Sequence, residues 1–324
     1  MSSIHTPTYY ACVDIGGTKV AVSLVLANGT PLGQHTPLLA QRTEPTIKTG
    51  TRDSLPQQII RMVDEACASL GASRQQLRRV GVSSCSPFLK VDGQLELVAP
   101  NLCGGKSGFQ NNDWQSIPLE RVLSEAFARV QIENDAIAAL LAEVQWGSLK
   151  GASHAAYVTW STGIGTGLMV GGHVLRGKNG NAGHAGHMVV TDARSTQNKA
   201  LVCGCGNVGD VQAQIAGIAI PQRFGVTGLD LMQAAKSGDA QALLQVDALC
   251  DGMARMLYNL TVTLDLERIA IGGSVFWHNQ DVLLPRVRAG VMARFPAMTE
   301  GLDIVPAGLG LDVANYGALA VLMA

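Results

Sequence analysis

No stretch of this 324-residue chain approaches the ~20 consecutive apolar residues that a membrane-spanning helix needs, so no span is expected. Charge is also scarce. Asp, Glu, Lys and Arg make up 15% of the residues and the formal net charge is -1. That leaves no basic face for nucleic acid and no like-charge run to keep a tail unfolded. The opening residues MSSIHTPTYYACVDIGG lack a basic segment followed by an apolar core, so no secretory leader is expected. The seven cysteines are odd in number and scattered (Cys12, Cys67, Cys85, Cys103, Cys203, Cys205, Cys250), which is not a disulfide framework. A soluble, reduced, cytoplasmic protein with no nucleic-acid or membrane partner is the expectation. What the chain has in quantity is apolar residues, 47%, and glycine, 37 residues, the latter suited to tight turns and to close approach of backbone to a ligand. Its length predicts two domains or one duplicated fold.

Periodicity predicts alternating strands and helices. YYACVDIGGTKVAVSLVLANGTPLGQHTPLL reads as strand, glycine turn, strand, turn and strand, a meander helped by Asn28-Gly29. SLPQQIIRMVDEACASLG reads as a helix, with Ser54 as N-cap, Pro56 in the first turn, a stripe of Ile59, Met62, Val63, Ala66 and Leu70, and Gly71 at its end. RRVGVSS is a short strand, Pro100 to Pro118 a long loop, RVQIEND a strand and AIAALLAEVQWG a helix. AAYVTWSTGIGTGLMVGGHVLRG then repeats strand, glycine turn, strand and turn. Helical pattern dominates from Val211 to Leu264, RIAIGGS is a buried strand ending in glycines, and DVANYGALAVLMA closes the chain as a helix. The recurring order predicts an α/β protein with a cleft between duplicated α/β halves.

The two glycine turns carry the first chemical signal. In DIGGTK (Asp14 to Lys19) and STGIGTG (Ser161 to Gly167), glycines let backbone N–H groups approach an oxyanion and threonine hydroxyls donate to it. A Walker loop or a Rossmann fingerprint opens a helix, whereas the strand-like VAVSLV and LMVGG follow here, so neither applies. Ordinary hairpin turns are the alternative. Paired strand-turn-strand phosphate loops point to the actin-like ATPase (ribonuclease H-like) architecture, where IGGS (Ile271 to Ser274) offers a glycine surface to adenosine; a plain strand-to-helix turn reads equally well there. Phosphoryl transfer asks the protein for positioning, charge neutralisation and a carboxylate that accepts the hydroxyl proton. Asp135, between a strand and a helix in IENDAIAALLAE, is the candidate, with Asn134 beside it to orient the acceptor. Asp135 also reads as the helix N-cap. The two roles coexist, because a helix N-terminus favours the ionised form.

In order and spacing, DIGGTK, PNL (Pro100 to Leu102), NDA (Asn134 to Ala136), STGIGTG, the GxAGHxGH segment ending at His187, CGCGNxG (Cys203 to Gly209) and IGGS resemble the ROK family over nearly the whole chain. The resemblance implies a two-domain actin-like fold: a small domain over 1–120 joined by the C-terminal helix 312–324, and a large domain over 121–311 that carries the zinc-motif loop. It implies a homodimeric kinase that phosphorylates a hexose or N-acylhexosamine with ATP and Mg2+, usually at the 6-hydroxyl. ROK repressors carry an added DNA-binding helix-turn-helix, for which a first phosphate loop at residue 14 leaves no room. By motif, Asp135 matches the family's catalytic base, and Asn101 and Asn134 match sugar contacts. Asp14, Gly16, Gly17, Thr18 and Lys19 match the first phosphate and Mg2+ region, Thr162, Gly163 and Gly165 the second, and Gly272 and Gly273 the nucleotide side.

The chain departs from that pattern at several positions. The family's Glu-x-Gly-His has His184 in place of Glu, while His187 keeps the histidine that touches sugar and binds zinc. Its Cys-x-Cys-Gly-x-x-Gly-Cys-x-Glu keeps Cys203 and Cys205 but has Asp210 for the third cysteine and Gln212 for the glutamate. Ser86 stands where a sugar-contacting glycine is expected. Carboxylate oxygen is an accepted zinc ligand, so His187, Cys203, Cys205 and Asp210 form a candidate tetrahedral Zn2+ site; reduced cysteines in a metal-free loop are the alternative. His184 and Gln212 can donate as well as accept, where glutamates only accept. The expected sugar pocket is therefore less acidic, suited to an acyl group or a neutral hexose rather than a cationic amino sugar. Bacterial N-acetylmannosamine kinases also have His-x-Gly-His, and a glucose-like substrate fits the same reading. The expectation is an ATP-dependent sugar kinase with Asp135 as base. A weak or inactive homologue acting as a sugar-binding sensor is the other reading, raised by the changes at His184, Asp210 and Gln212.

Overall fold

A computed structural model of the chain describes residues 6–33, 35–107, 112–190 and 201–324. Residues 108–111 of the loop expected over 100–118, and 191–200 between the histidines and Cys203, lie outside the described residues. The chain divides into two units: Met1–Gln145 with Arg176–Asn181 and Asp312–Ala324, and Trp146–Leu175 with Ala182–Leu311.

In the first unit the expected meander forms β1 (Tyr9–Ile15), β2 (Lys19–Leu26) and β3 (Leu39–Pro45), followed by α1 (Ser54–Ser69) and β4 (Leu77–Ser84). A small hairpin, β5 (Phe88–Val91) and β6 (Gln94–Leu97), precedes α2 (Gly104–Ser107), α3 (Leu119–Ala126), β7 (Val130–Asn134) and α4 (Asp135–Trp146). The main sheet has the order β3-β2-β1-β4-β7. Strand β1 is antiparallel to β2 and parallel to β4, which is parallel to β7. Alternation assigns the two faces. Ala11, Val13, Ile15, Val80 and Val82 share one core with Leu55, Ile59, Met62 and Val63 of α1, each such large side chain contributing roughly 1.5–3 kcal/mol on burial. Gly81, between Val80 and Val82, turns to the other face and meets the C-terminal helix Val313–Val321.

Local expectations shift in detail. Asn28-Gly29 does not make a two-residue hairpin, because β3 begins only at Leu39. Ser54 is the first helical residue rather than the cap, and Leu70, expected in the apolar stripe, follows the last turn and is 37% exposed. The short helix α2 interrupts the 100–118 loop. The division expected at residue 120 falls inside the first unit, because β7 pairs with β4. The C-terminal helix does join this unit. Segment 176–181 joins it too: Arg176 grips the buried Glu133 through Nε at 2.7 Å and Nη2 at 2.6 Å. Asn181 hydrogen-bonds the backbone N–H and C=O of Phe88.

The second unit repeats the plan. Its strands are β8 (Ala155–Trp160), β9 (Ile164–Val170), β10 (His173–Val174), β11 (Arg268–Gly272) and β12 (Asp303–Pro306), in the order β10-β9-β8-β11-β12. Strands β8 and β9 are antiparallel, while β8, β11 and β12 run parallel, as do β1, β4 and β7 in the first sheet. Its helices are α5 (Val211–Ile215), α6 (Ala219–Phe224), α7 (Gly228–Lys236), α8 (Ala240–Leu264), α9 (Ser274–Trp277), α10 (Gln280–Met292) and α11 (Pro296–Thr299). The long α8 packs on α5, α7 and α10. Its start is fixed by Asp239, whose side chain accepts from Ala242 N at 2.7 Å, and its end by the left-handed Asp265. No helix among the described residues is long and apolar enough to cross a membrane.

A Cβ on Gly81 would lie 2.6 Å from the carbonyl oxygen of Ala318 and 2.8 Å from Leu322 Cγ. The backbone oxygen cannot rotate away, so Gly81→Ala should destabilise the fold by roughly 1–3 kcal/mol, the usual range for overpacking. Urea denaturation checks this, and an unchanged midpoint would show that the helix shifts without penalty.

Candidate active site

The parallel strands of the first unit deliver polar residues to one edge of the sheet. Register pairs Asp14 with Ser83 and Ser83 with Glu133, then Ile15 with Ser84 and Ser84 with Asn134. The C-terminal ends of β1, β4 and β7 therefore carry Asp14, Ser84 to Ser86, and Asn134 with Asp135. This is the strand edge at which open α/β sheets bind ligands.

Asp14 is half-buried and accepts a hydrogen bond from Ser83 Oγ at 2.9 Å. Burial raises its pKa, partly offset by the Ser83 hydroxyl and the Lys19 charge. The turn after it is held by Gly16 N–H donating to the Lys19 carbonyl at 2.9 Å, and by Thr46, whose hydroxyl donates to the Gly16 carbonyl at 2.8 Å. Thr18 and Lys19 are exposed. A side chain at Gly17 would collide with Asn101 Nδ2, so the PNL loop lies against the first glycine turn.

At the end of β7 the structure separates cap from candidate base. Asn134 does the capping: its Oδ1 accepts from Ala136 N at 3.0 Å and Ile137 N at 3.2 Å. Its Nδ2 donates to Ser86 Oγ at 2.7 Å and to Asp135 Oδ1 at 2.9 Å. Asp135 Oδ1 also accepts from Ala136 N at 2.8 Å. The side chain of Asp135 is open to solvent contact, yet protein packed around it strips away most bulk water. That desolvation, added to the negative charge of Asp14, lifts its pKa to about 6 against the pull of the Ala136 and Asn134 hydrogen bonds.

In the second unit, Ser161 to Gly163 turn between the antiparallel β8 and β9, with Ser161 N–H donating to the Gly163 carbonyl at 3.0 Å. Neither glycine turn opens a helix, as the strand-like sequence after each predicts. Thr162 is exposed, and Gly165 lies in β9 paired with Thr159. Strand β11 ends at Gly272, and Gly273, at φ 88°, leads into α9. Ser274 Oγ lies 2.9 Å from Ser161 Oγ, so this glycine pair and the second turn adjoin.

His187, Cys203, Cys205 and Asp210 come together, one potential ligand atom from each lying within 4.8 Å of all the others. His187 Nδ1 is 3.1 Å from Asp210 Oδ2, 3.4 Å from Cys205 Sγ and 3.8 Å from Cys203 Sγ, and Cys205 Sγ is 3.6 Å from Asp210 Oδ2. A tetrahedron built on ordinary zinc–nitrogen, –oxygen and –sulfur bonds has ligand–ligand edges of roughly 3.3–3.8 Å. Three of these four separations lie in that range and His187–Asp210 is slightly shorter, so the donor set suits the metal. Asp210 is fully buried and divides its oxygens: Oδ1 caps α5 by accepting from Ala213 N at 2.7 Å, while Oδ2 faces the cluster. The hydrogen bonds of His187 to Asp210 and Cys203 raise its pKa to about 9.

His184 is not part of this ligand set. Its ring stacks on His187 at 6.2 Å between centroids. Gln212 is engaged at both ends of its carboxamide: Oε1 accepts from Ile164 N at 3.0 Å and Nε2 donates to Cys203 Sγ at 3.4 Å. The sugar contact expected of it competes with these bonds. Thr46 and Ser83 carry no signal in the sequence, since they lie 30 and 69 positions from their partners Gly16 and Asp14.

The duplicated sheets, each with a glycine hairpin, and the desolvated carboxylate at a strand end define the class: a kinase of the actin-like ATPase fold. The pattern of the ROK family matches residues 10–324. Among its relatives, a glucokinase of Aeropyrum pernix is 28% identical over 333 aligned positions, covering 95% of each chain. An N-acetylmannosamine kinase of Shigella boydii is 32% identical over 270 positions, covering 81% of this chain and 82% of its own. The crystal structure of a ROK hexokinase from Thermus thermophilus superposes with a TM-score of 0.70 at 26% identity, covering 97% of both chains. The chain belongs to the ROK family.

The raised pKa of Asp135 makes a stability prediction. A folded-state pKa near 6, above the unfolded value near 3.9, means the folded state binds the proton more tightly, so stability falls as pH rises from about 4 through about 6. Asp135→Asn keeps an acceptor and removes the charge, so it should melt higher than the parent at pH 7.5, with the advantage vanishing by pH 4. Equal melting temperatures across that range would show that the carboxylate is not strained by its surroundings.

Proposed function

We propose that the protein transfers the γ-phosphoryl group of ATP to a hydroxyl of a hexose or N-acylhexosamine, at the 6-position, with Asp135 as general base. The observation that carries this is the carboxylate of Asp135, held open at the strand end with its pKa lifted to about 6. That value sits close to neutral pH, where a base is both ionised and strong enough to accept a proton. As the sugar oxygen attacks phosphorus and the bond to ADP breaks, its proton passes to Asp135. Asn134 fixes the base by donating to it at 2.9 Å. Ser86, Asn101, Asn134, His184 and His187 are the proposed sugar contacts. Both histidines carry ring N–H groups that suit hydroxyl or acyl oxygens, which favours the substrates named for the glucokinase and N-acetylmannosamine kinase relatives.

The two glycine turns are the proposed phosphate cradles, with Gly272 and Gly273 on the adenosine side. Asp14 is the residue that would hold Mg2+, which when bound neutralises phosphate charge. A homodimer is the proposed assembly, by family habit. Zinc at His187, Cys203, Cys205 and Asp210 is the proposed structural metal, supported by the tetrahedral edge lengths.

Two experiments test these readings. ADP release should exceed the no-sugar blank with at least one of N-acetylmannosamine, N-acetylglucosamine, glucose, mannose, fructose or allose. Asp135→Asn should cut kcat by about 10²–10⁴-fold with sugar binding retained, and kcat/KM of the parent should fall as pH drops through about 6. Silence across the panel with sugar binding intact would favour a sensor. For the metal, protein purified without chelator or added zinc should carry one equivalent, and Asp210→Ala should lose it with a drop in melting temperature. Substoichiometric zinc together with chelator-insensitive stability would remove the metal from the account.

A further inference from the structure

We infer that α5 is a mechanical tie between the metal cluster and the second glycine turn, with Gln212 as its positioning residue, so that the metal sets the order of the turn. The inference rests on the two assignments just proposed, zinc at the cluster and phosphate at the turn.

The helix is five residues long and is fastened at both ends. At its N-terminus Asp210 caps it with one oxygen and faces the cluster with the other. At its C-terminal side the chain reaches the turn directly. Gly217 N–H donates to the Ser161 carbonyl at 2.8 Å, and Ile218 N–H donates to the Thr162 carbonyl at 3.2 Å. Between these, the indole N–H of the buried Trp160 donates to the Ile215 carbonyl at 2.7 Å. Gln212 supplies the lateral link, from Ile164 N–H on one side to Cys203 Sγ on the other.

The residue type at 212 is set by what it joins. Ile164 presents an N–H and needs an acceptor. Cys203, as a metal-bound thiolate, needs a donor. A carboxamide supplies both; a carboxylate supplies only acceptors. Gly163 makes room for it, since a Cβ there would lie 2.9 Å from Gln212 Oε1. Groups that hydrogen-bond a metal ligand orient it and tune its basicity. Here the same amide also holds the first residue of β9. Loss of the metal frees Cys203 and Asp210 together, and with them the N-terminal anchor of the helix and the lateral link through Gln212, while the C-terminal bonds to Ser161 and Thr162 remain.

The test uses the full-length chain, zinc-loaded and after chelation, with metal content measured in each sample. Hydrogen exchange of the peptide spanning 160–167 and affinity for ADP are the readouts. In the parent protein chelation should speed exchange in that peptide about three- to tenfold, the scale of one or two hydrogen bonds, and weaken ADP by a similar factor, with β12 and α10 unchanged. In Gln212→Leu the peptide should exchange at the faster rate whether or not metal is present. Gln212→Glu, which keeps the acceptor for Ile164 but offers no donor to Cys203, should hold the peptide at the slower rate and lose the metal dependence of exchange. Should the leucine variant fail to fold, the parent and the glutamate variant still decide. Unaltered exchange in the parent after verified zinc removal would overturn the tie and leave zinc binding standing. Absence of zinc from the protein as purified would overturn the metal assignment, and the tie with it.

Discussion

The desolvation of Asp14 and Asp135 at the strand ends, to which repulsion from Asp14 adds at Asp135, is the constraint that the edge of the first sheet accommodates. The two carboxylates sit at the ends of β1 and β7, and β4 lies between these strands with every residue of the shared edge in register. Neither strand can slide to relieve the charges without breaking a hydrogen-bonded ladder buried against α1 on one face and the C-terminal helix on the other. The repulsion is therefore managed locally. Ser83 and Lys19 ease the charge on Asp14; Asn134 and the Ala136 N–H ease that on Asp135. What remains unrelieved is useful for chemistry. A carboxylate that binds its proton more readily than a free aspartate is a better base, and the fold bears the cost of keeping it so.

Asn134 is where this arrangement is most economical. It caps α4, tethers Ser86 and donates to Asp135 with one side chain. Because the cap falls on Asn134, the bonds that Asp135 accepts from Asn134 Nδ2 and Ala136 N both fall on Oδ1. An aspartate that was itself the cap would have its lone pairs committed to backbone N–H groups, which depresses the pKa and spends the acceptor. The asparagine–aspartate order thus places the capping on Asn134 and leaves Asp135 outside the cap.

Much of this was legible in the sequence, and the remainder fails for identifiable reasons. The strand-turn-strand character of both glycine loops was readable because period-two burial is local, and it sufficed to set aside helix-opening phosphate loops. The ends of the helices were less secure: Ser54 and Asp135 both resemble caps, and which neighbour takes the role depends on backbone angles that composition does not encode. The boundary near residue 120 was misplaced because the pairing of β7 with β4 joins residues some fifty positions apart. Thr46 and Ser83 were invisible for the same reason. The cluster of His187, Cys203, Cys205 and Asp210 was readable from motif order, but the partners of Gln212 were not. A motif position carries a family role, while a carboxamide finds its partners in the folded neighbourhood.

That neighbourhood also shows what the residues at 210 and 212 each do. Replacing a third thiolate by the Asp210 carboxylate leaves the charge of the proposed ligand set unchanged. The carboxylate also brings a second oxygen, which a thiolate lacks, and that oxygen caps α5. Asp210 so placed has no exposure to water. A carboxylate at 212 would offer Cys203 no donor. The neutral amide supplies one through Nε2. The two residues are compatible because each settles a hydrogen bond the other creates: Asp210 fixes where α5 begins, and the start of α5 fixes where Gln212 can reach.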